Sequence, residues 1–84
     1  MGETKMADAD LTKANLSGAF LIKSKLPRAN LTGANLWSAN LCSATLESTN
    51  LRESNLTGVN LNWANIYEAK LMATRLFGAQ LNRS

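Results

Sequence analysis

The chain has no histidine, one cysteine and one proline among its 84 residues. Without histidine it lacks the commonest general base near neutral pH and the commonest metal ligand. The lone Cys42 excludes an intramolecular disulfide and suits a reducing cytoplasm. No apolar window approaches the roughly 20 residues of a membrane-spanning helix, and residues 1–13 hold no apolar stretch of signal-peptide length. There is no Gly-rich phosphate loop, nucleophile motif or cluster with metal-ligand spacing. These absences lead us to expect a non-enzymatic protein with no catalytic, cofactor-binding or metal-binding residues. Charge of one sign is also scarce: nine Lys and Arg against six Asp and Glu give a formal net charge of +3. Lys23, Lys25 and Arg28 form the one dense basic group, and Lys70, Arg75 and Arg83 a looser one.

What is present is a repeat. All fourteen leucines fall on one progression, from Leu11 to Leu81 in steps of five, and the single gap is filled by Ile66. Met6 opens the series in a degenerate unit. Two residues before each of these come Ala9, Ala14, Ala19, Ser24, Ala29 and so on to Ala79, all small. The residue directly before is most often asparagine: Asn15, Asn30, Asn35, Asn40, Asn50, Asn55, Asn60 and Asn65. The two positions after the leucine vary and are mostly polar, with Gly18, Gly33, Gly58 and Gly78 in the second.

A period of five suits neither regular element. In an α-helix five residues advance about 140° beyond a full turn, which sprays the leucines around the axis. In a strand they alternate between faces. Within one unit, however, the small residue and the leucine are two apart, so a short extended segment points both inward. A turn must then reset the phase, and Gly, Asn and Ser near the unit ends suit turns. Repeated after every unit, this coils the chain around its leucines as a solenoid.

The tandem units Ala29-Asn30-Leu31-Thr32-Gly33, Ala34-Asn35-Leu36 and Ala39-Asn40-Leu41 resemble the pentapeptide-repeat proteins, and the resemblance covers residues 4–83. It implies an all-β fold, a right-handed quadrilateral parallel β-helix with four units per coil and about four coils. Residues 1–3 are then a lead-in and residues 4–83 a single domain. Residues twenty apart stack, so Leu11, Leu31, Leu51 and Leu71 form one inner column and Leu16, Leu36, Leu56 and Leu76 the next. Leu21, Leu41, Leu61 and Leu81 form the third, and Met6, Leu26, Leu46 and Ile66 the fourth. The residues before the leucine that depart from Asn or Asp (Phe20, Lys25, Thr45, Lys70, Arg75 and Gln80) predict altered turn geometry at their corners. Pro27, which cannot donate a hydrogen bond, predicts a local ladder defect. The stacked asparagines are expected to bond along their columns and to satisfy turn backbone.

Function must then lie on the outer surface or at the coil ends. Phe20 and Ile22 flank Leu21 and point outward, with Cys42 and then Trp63 one coil and two coils on; they are candidate interface residues. Trp37 and Phe77 share the preceding face, separated by Thr57. Tyr67 and Met72 lie in the last coil, where they suit end-to-end association. Cys42 has no activating neighbour and reads as inert. Glu47 and Glu68 share a face one coil apart but without a pocket to make them an acid–base pair. No capping helix is written at either end, so self-association through the coil ends is expected.

The reading that follows is a structural or protein-interaction scaffold in the cytoplasm. An alternative is binding of nucleic acid or an anionic surface through the scattered basic residues. A further alternative comes from the resemblance: some pentapeptide-repeat proteins mimic duplex DNA and bind type II topoisomerases. That mimicry uses a long acidic rod, whereas this chain is basic and Asp10 is the one acid directly before a repeat leucine.

Overall fold

A computed structural model describes residues 5–82; the expected lead-in 1–3 and Arg83 lie outside the described residues. The five-residue unit is visible in every turn. Each leucine carbonyl accepts the N–H of the small residue three positions on, from Ala9 onto Met6 to Ala79 onto Leu76, at 2.9–3.1 Å. The third residue of all fifteen turns has a positive φ, between 58° and 73°. With the one positive φ at that place, these are turns of type II character.

After each turn comes one extended residue, and it pairs in parallel with the residue twenty positions on: Asp10 with Asn30, Asn30 with Asn50, Asn50 with Lys70. Every such bridge is isolated, and no longer strand forms among the described residues. The cause is the repeat itself, because a turn interrupts the chain before a second pair can form. The chain therefore rises by one layer every twenty residues. We number the layers in order: residues 5–24, 25–44, 45–64 and 65–82.

The backbone accounting explains why a chain of turns is stable. In the unit 30–34, Asn30 N–H donates down to the Ala9 carbonyl at 2.8 Å, and Leu31 N–H up to Asn50 at 2.7 Å. Gly33 N–H donates up to Arg52 at 2.8 Å, and Ala34 N–H closes the turn onto Leu31 at 2.9 Å. The fifth donor, Thr32 N–H, goes to the Asn30 side chain at 3.0 Å. All five N–H groups are satisfied, as buried or half-buried backbone requires.

Three expectations are corrected here. Asparagine does satisfy the turn backbone: Oδ1 of all eight, and of Asp10, accepts the N–H two residues on. Among the described residues, however, none of these carboxamides bonds to the next asparagine of its column; each is spent on its own turn. Pro27 causes no ladder defect. It stands just after the leucine, where the N–H never enters the ladder, and its carbonyl accepts from Asp8 at 3.0 Å while Leu26 and Arg28 donate upward normally. The corners that follow Phe20, Lys25, Thr45, Lys70, Arg75 and Gln80 are not altered where described: Lys23, Arg28, Ser48, Ala73 and Gly78 all keep the positive φ. The turn is set by the leucine's inward packing and by ladder bonds to a neighbouring layer, and the carboxamide only completes it.

The interior is one column of side chains per side. Leu21, Leu26, Leu31, Leu36, Leu41, Leu46, Leu51, Leu56 and Leu61 are buried, with Ala29, Ala34, Ala39, Ala44, Val59 and Ala64 between them. Polar residues at the small position are satisfied. Thr49 donates to the Leu26 carbonyl in the layer below, and Ser54 to the Leu51 carbonyl of its own turn. No buried side-chain N or O among the described residues lacks a partner. The described residues measure 27 × 24 × 22 Å, so the stack is about as tall as it is wide and its ends form a large part of its surface.

Candidate functional site

The three positions around each leucine that face outward carry whatever the protein presents. The residue after the leucine forms four columns. In the first layer it is Ala7, Thr12, Ser17 and Ile22, and in the second Pro27, Thr32, Trp37 and Cys42. In the third it is Glu47, Arg52, Thr57 and Asn62, and in the fourth Tyr67, Met72, Phe77 and Asn82. Large apolar side chains thus crowd into the fourth layer, on three successive sides.

The candidate interface residues divide accordingly. Tyr67, Met72 and Phe77 ring the fourth layer and are exposed, Phe77 at 86% and Met72 at 72%. Inside that ring the leucines themselves are incompletely covered: Leu71 is 36% and Leu81 43% exposed, where Leu51 and Leu61 in the layer below are buried. Ile66 and Leu76 are partly buried. Phe20 and Trp63 are also exposed, but they are not neighbours: Phe20 bridges Asn40 and Asn40 bridges Asn60, so Trp63 lies two layers above Phe20. Ile22 and Cys42 are half-buried between them. Trp37 and Phe77 share a column with Thr57 between, as the bonds from Ser38 to Thr57 and from Gly58 to Phe77 establish.

The backbone edge of the fourth layer is open. In the third layer Leu51 N–H reaches Lys70, Glu53 reaches Met72, Leu56 reaches Arg75 and Gly58 reaches Phe77. Among the described residues the corresponding N–H groups of Leu71, Ala73, Leu76 and Gly78 have no acceptor. The first layer has the opposite character. The carbonyls of Asp10, Thr12, Asn15 and Ser17 receive no bond there. One edge is rich in donors and the other in acceptors.

The charged groups are arranged by the same twenty-residue step. Arg28 stands one layer above Asp8 and grips it with two bonds, Nε to Oδ1 at 2.9 Å and Nη2 to Oδ2 at 3.1 Å. This contact lowers the Asp8 pKa and raises that of Arg28. Asp10 is lowered by the hydroxyl and then the N–H of Thr12. Glu68 accepts from Ser48 Oγ at 3.5 Å. Cys42 donates its N–H to Asn40 and has its Sγ 3.8 Å from Ser43 Oγ. Among the described residues no three of Cys, Asp and Glu gather as a metal site. Two surface clefts stand out. One, of about 360 Å³, is lined by Thr32, Asn50, Arg52, Glu53, Met72 and Ala73. The other, of about 410 Å³, is lined by Lys5, Lys23, Lys25, Ser43 and Thr45. The Arg28–Asp8 pair and the lysine cleft were legible in the sequence only once residues are written in rows of twenty.

The family model for pentapeptide repeats in eight copies matches residues 4–40 and 36–72. The chain belongs to the pentapeptide-repeat family. Solved pentapeptide-repeat structures agree. Over 98% of its length the chain is similar to a pentapeptide repeat protein from the cyanobacterium Cyanothece 51142, at 30% identity and a TM-score of 0.54, covering 59% of that chain. Over 84% it is similar to a pentapeptide repeat protein from the thylakoid lumen of Arabidopsis thaliana, at 26% identity and a TM-score of 0.59, covering 52% of that chain. It thus spans between half and three-fifths of the length of these two structures. No curated protein matches the chain. The family and the bridges together make the fold a β-helical solenoid. Among the described residues, no helix is long and apolar enough to cross a membrane.

Proposed function

We propose that this pentapeptide-repeat chain is a non-catalytic interaction scaffold, a right-handed quadrilateral β-helix of about four coils, whose docking face is the fourth layer and whose partner is a second copy of itself. The reading rests on one observation: the fourth layer combines uncovered leucines, a ring of Tyr67, Met72 and Phe77, and a row of N–H groups without acceptors. Apolar surface gathered in this way marks an interface, and an unpaired ladder edge is a template for another chain.

The partner is argued from complementarity. Donors of the fourth layer meet acceptors of the first when a second copy stacks head to tail in the same register. Leu71 N–H then faces the Asp10 carbonyl, and Leu76 N–H that of Asn15. In the same register Met72 comes over Thr12 and Phe77 over Ser17, so large side chains meet small ones. Lys70 comes beside Asp10, and among the described residues the one like-charged meeting, Glu68 with Asp8, is tempered by Arg28. A head-to-tail contact of this kind is not closed by symmetry and propagates into longer stacks. The lone free thiol, Cys42, is suited to the cytoplasm.

Sedimentation velocity across a concentration series tests this. The sedimentation coefficient of the native chain rises with concentration into a distribution of stacks, and Leu71→Lys with Leu81→Lys holds it at the monomer value while circular dichroism stays unchanged. A monomer at every concentration, or assembly indifferent to both lysines, overturns the reading.

A further inference from the structure

The four corners of the solenoid are built alike, so each is a control for the others. Three of them set acids beside their bases or carry no charge. The corner of Asp8, Asp10 and Arg28 holds an ion pair, that of Lys13, Glu53 and Arg75 mixes signs, and that of Phe20, Asn40 and Gln80 is uncharged. In the fourth corner Lys5, Lys23, Lys25, Ser43 and Thr45 line one cleft, with Trp63 and Asn65 above them, and among the described residues this corner holds cations and no acid.

From this we infer an anion-binding site, independent of the end-to-end reading, that takes the phosphoryl groups of a small phosphorylated molecule. Three observations carry it. Lys5 and Lys25 are directly paired by a parallel bridge, which stacks two like charges one layer apart. Such pairing is unfavourable, and a bound dianion reverses its sign. No carboxylate among the described residues forms a salt bridge with Lys5, Lys23 or Lys25, although Arg28 three residues on has one; Glu3 lies outside the described residues. Finally, the three lysines and two hydroxyls line a single cleft of about 410 Å³ that runs from Lys5 and Lys23 in the first layer, past Lys25 and Ser43, to Thr45 at the start of the third. Ammonium groups supply charge, and the half-buried Ser43 and Thr45 supply neutral donors at fixed positions. The lysines stand where most other units carry an asparagine tied to its turn, or at the turn residue beside it. Their side chains are therefore free to converge on a ligand.

The test is isothermal titration of the full chain with sodium pyrophosphate, against inorganic phosphate and against sodium chloride at matched ionic strength. Pyrophosphate gives a saturable isotherm with one site, phosphate a weaker one and chloride none. Lys25→Gln, or Lys23→Gln if the first fails to fold, weakens pyrophosphate about tenfold, as loss of one charge-assisted contact does. Arg52→Gln, in the third layer and on the other cleft, leaves it within about twofold. In chloride alone Lys25→Gln melts no lower than the native chain, because it relieves the Lys5 repulsion. An absence of saturable binding overturns the site, as does equal weakening by Arg52→Gln, or binding confined to phosphatidylserine vesicles.

Discussion

The third and fourth layers are written with the same unit and fold into the same turns, yet they differ in almost every property that matters. In the third, Leu46, Leu51, Leu56 and Leu61 are buried, and every leucine N–H has a carbonyl above it. In the fourth, Leu71 and Leu81 are more than a third exposed and the same N–H groups have no acceptor among the described residues. The unit therefore does not bury itself. It supplies a turn and an inward leucine, and the layer above completes the core and the ladder, as in other repeat proteins. The fourth layer is also where the outer positions change character, from Glu47, Arg52 and Thr57 below to Tyr67, Met72 and Phe77. Open edge and apolar rim coincide, which is why the proposed docking face lies there.

Substitutions sharpen this comparison. The largest difference is expected in the leucines. Leu36→Ala, in a buried column of the second layer, lowers unfolding free energy by about 2–5 kcal/mol. Leu81→Ala, already 43% exposed, lowers it by less than about 1 kcal/mol in the monomer. Urea titration at low protein concentration reads both, and equal losses break the distinction. Next comes the turn. Gly58 has a φ of +71°, and a Cβ there sits 3.3 Å from Ser38 Oγ; Gly58→Ala costs about 1–2 kcal/mol. At the same turn position in the fourth layer, Ala73→Gly removes a left-handed penalty and gains up to about 1 kcal/mol.

A smaller effect separates the carboxamide corners. Asn55→Ala deprives Thr57 of its side-chain acceptor and costs about 0.5–1.5 kcal/mol. Arg75→Ala, in the same column one layer up, removes no such bond and leaves the melting temperature nearly unchanged. The smallest effect is electrostatic. The Asp8 pKa is lowered from 3.8 by Arg28. Its stabilising contribution is complete above that value and is lost as pH falls through the lowered folded value. The pair is exposed and screened, so the melting advantage of the native chain over Asp8→Asn is small and flat toward neutrality and fades as the pH falls below the ordinary carboxylate value.

Much of this was legible in the sequence, and the reason is geometric. A leucine every five residues with a small residue two before it leaves few ways to bury the apolar side chains, so the inner columns follow from Leu11 to Leu81 directly. The outer columns follow by counting twenties. What sequence could not indicate was the uniform left-handed turn. Trp63 has a φ of 66° and Ala73 one of 60°, although neither residue favours that region. In both turns the bond received from the layer below and the closing bond impose it: Ser43 N–H onto Asn62 and Ala64 N–H onto Leu61 at Trp63, Glu53 N–H onto Met72 and Thr74 N–H onto Leu71 at Ala73. Pro27 leaves the ladder intact for a related reason: whether its missing N–H matters depends on which groups the coil aims along its axis, and those of Leu26 and Arg28 are the ones aimed there. The asparagines announced themselves as scaffold, but their choice between column and turn is a matter of distances that the repeat does not spell out. Of the lysine cleft, Lys23 and Lys25 stand out in the sequence as a basic group, and Lys5, Ser43 and Thr45 join them only when residues are written in rows of twenty.

Amide hydrogen exchange of the native chain, read residue by residue at two protein concentrations, tests the central comparison most directly. In dilute solution the N–H groups of Leu51 and Leu56 are protected while those of Leu71 and Leu76 exchange freely. At high concentration Leu71 and Leu76 become protected as a second copy supplies the missing carbonyls. Protection of all four in dilute solution, or exposure of Leu71 and Leu76 at every concentration, would contradict the account.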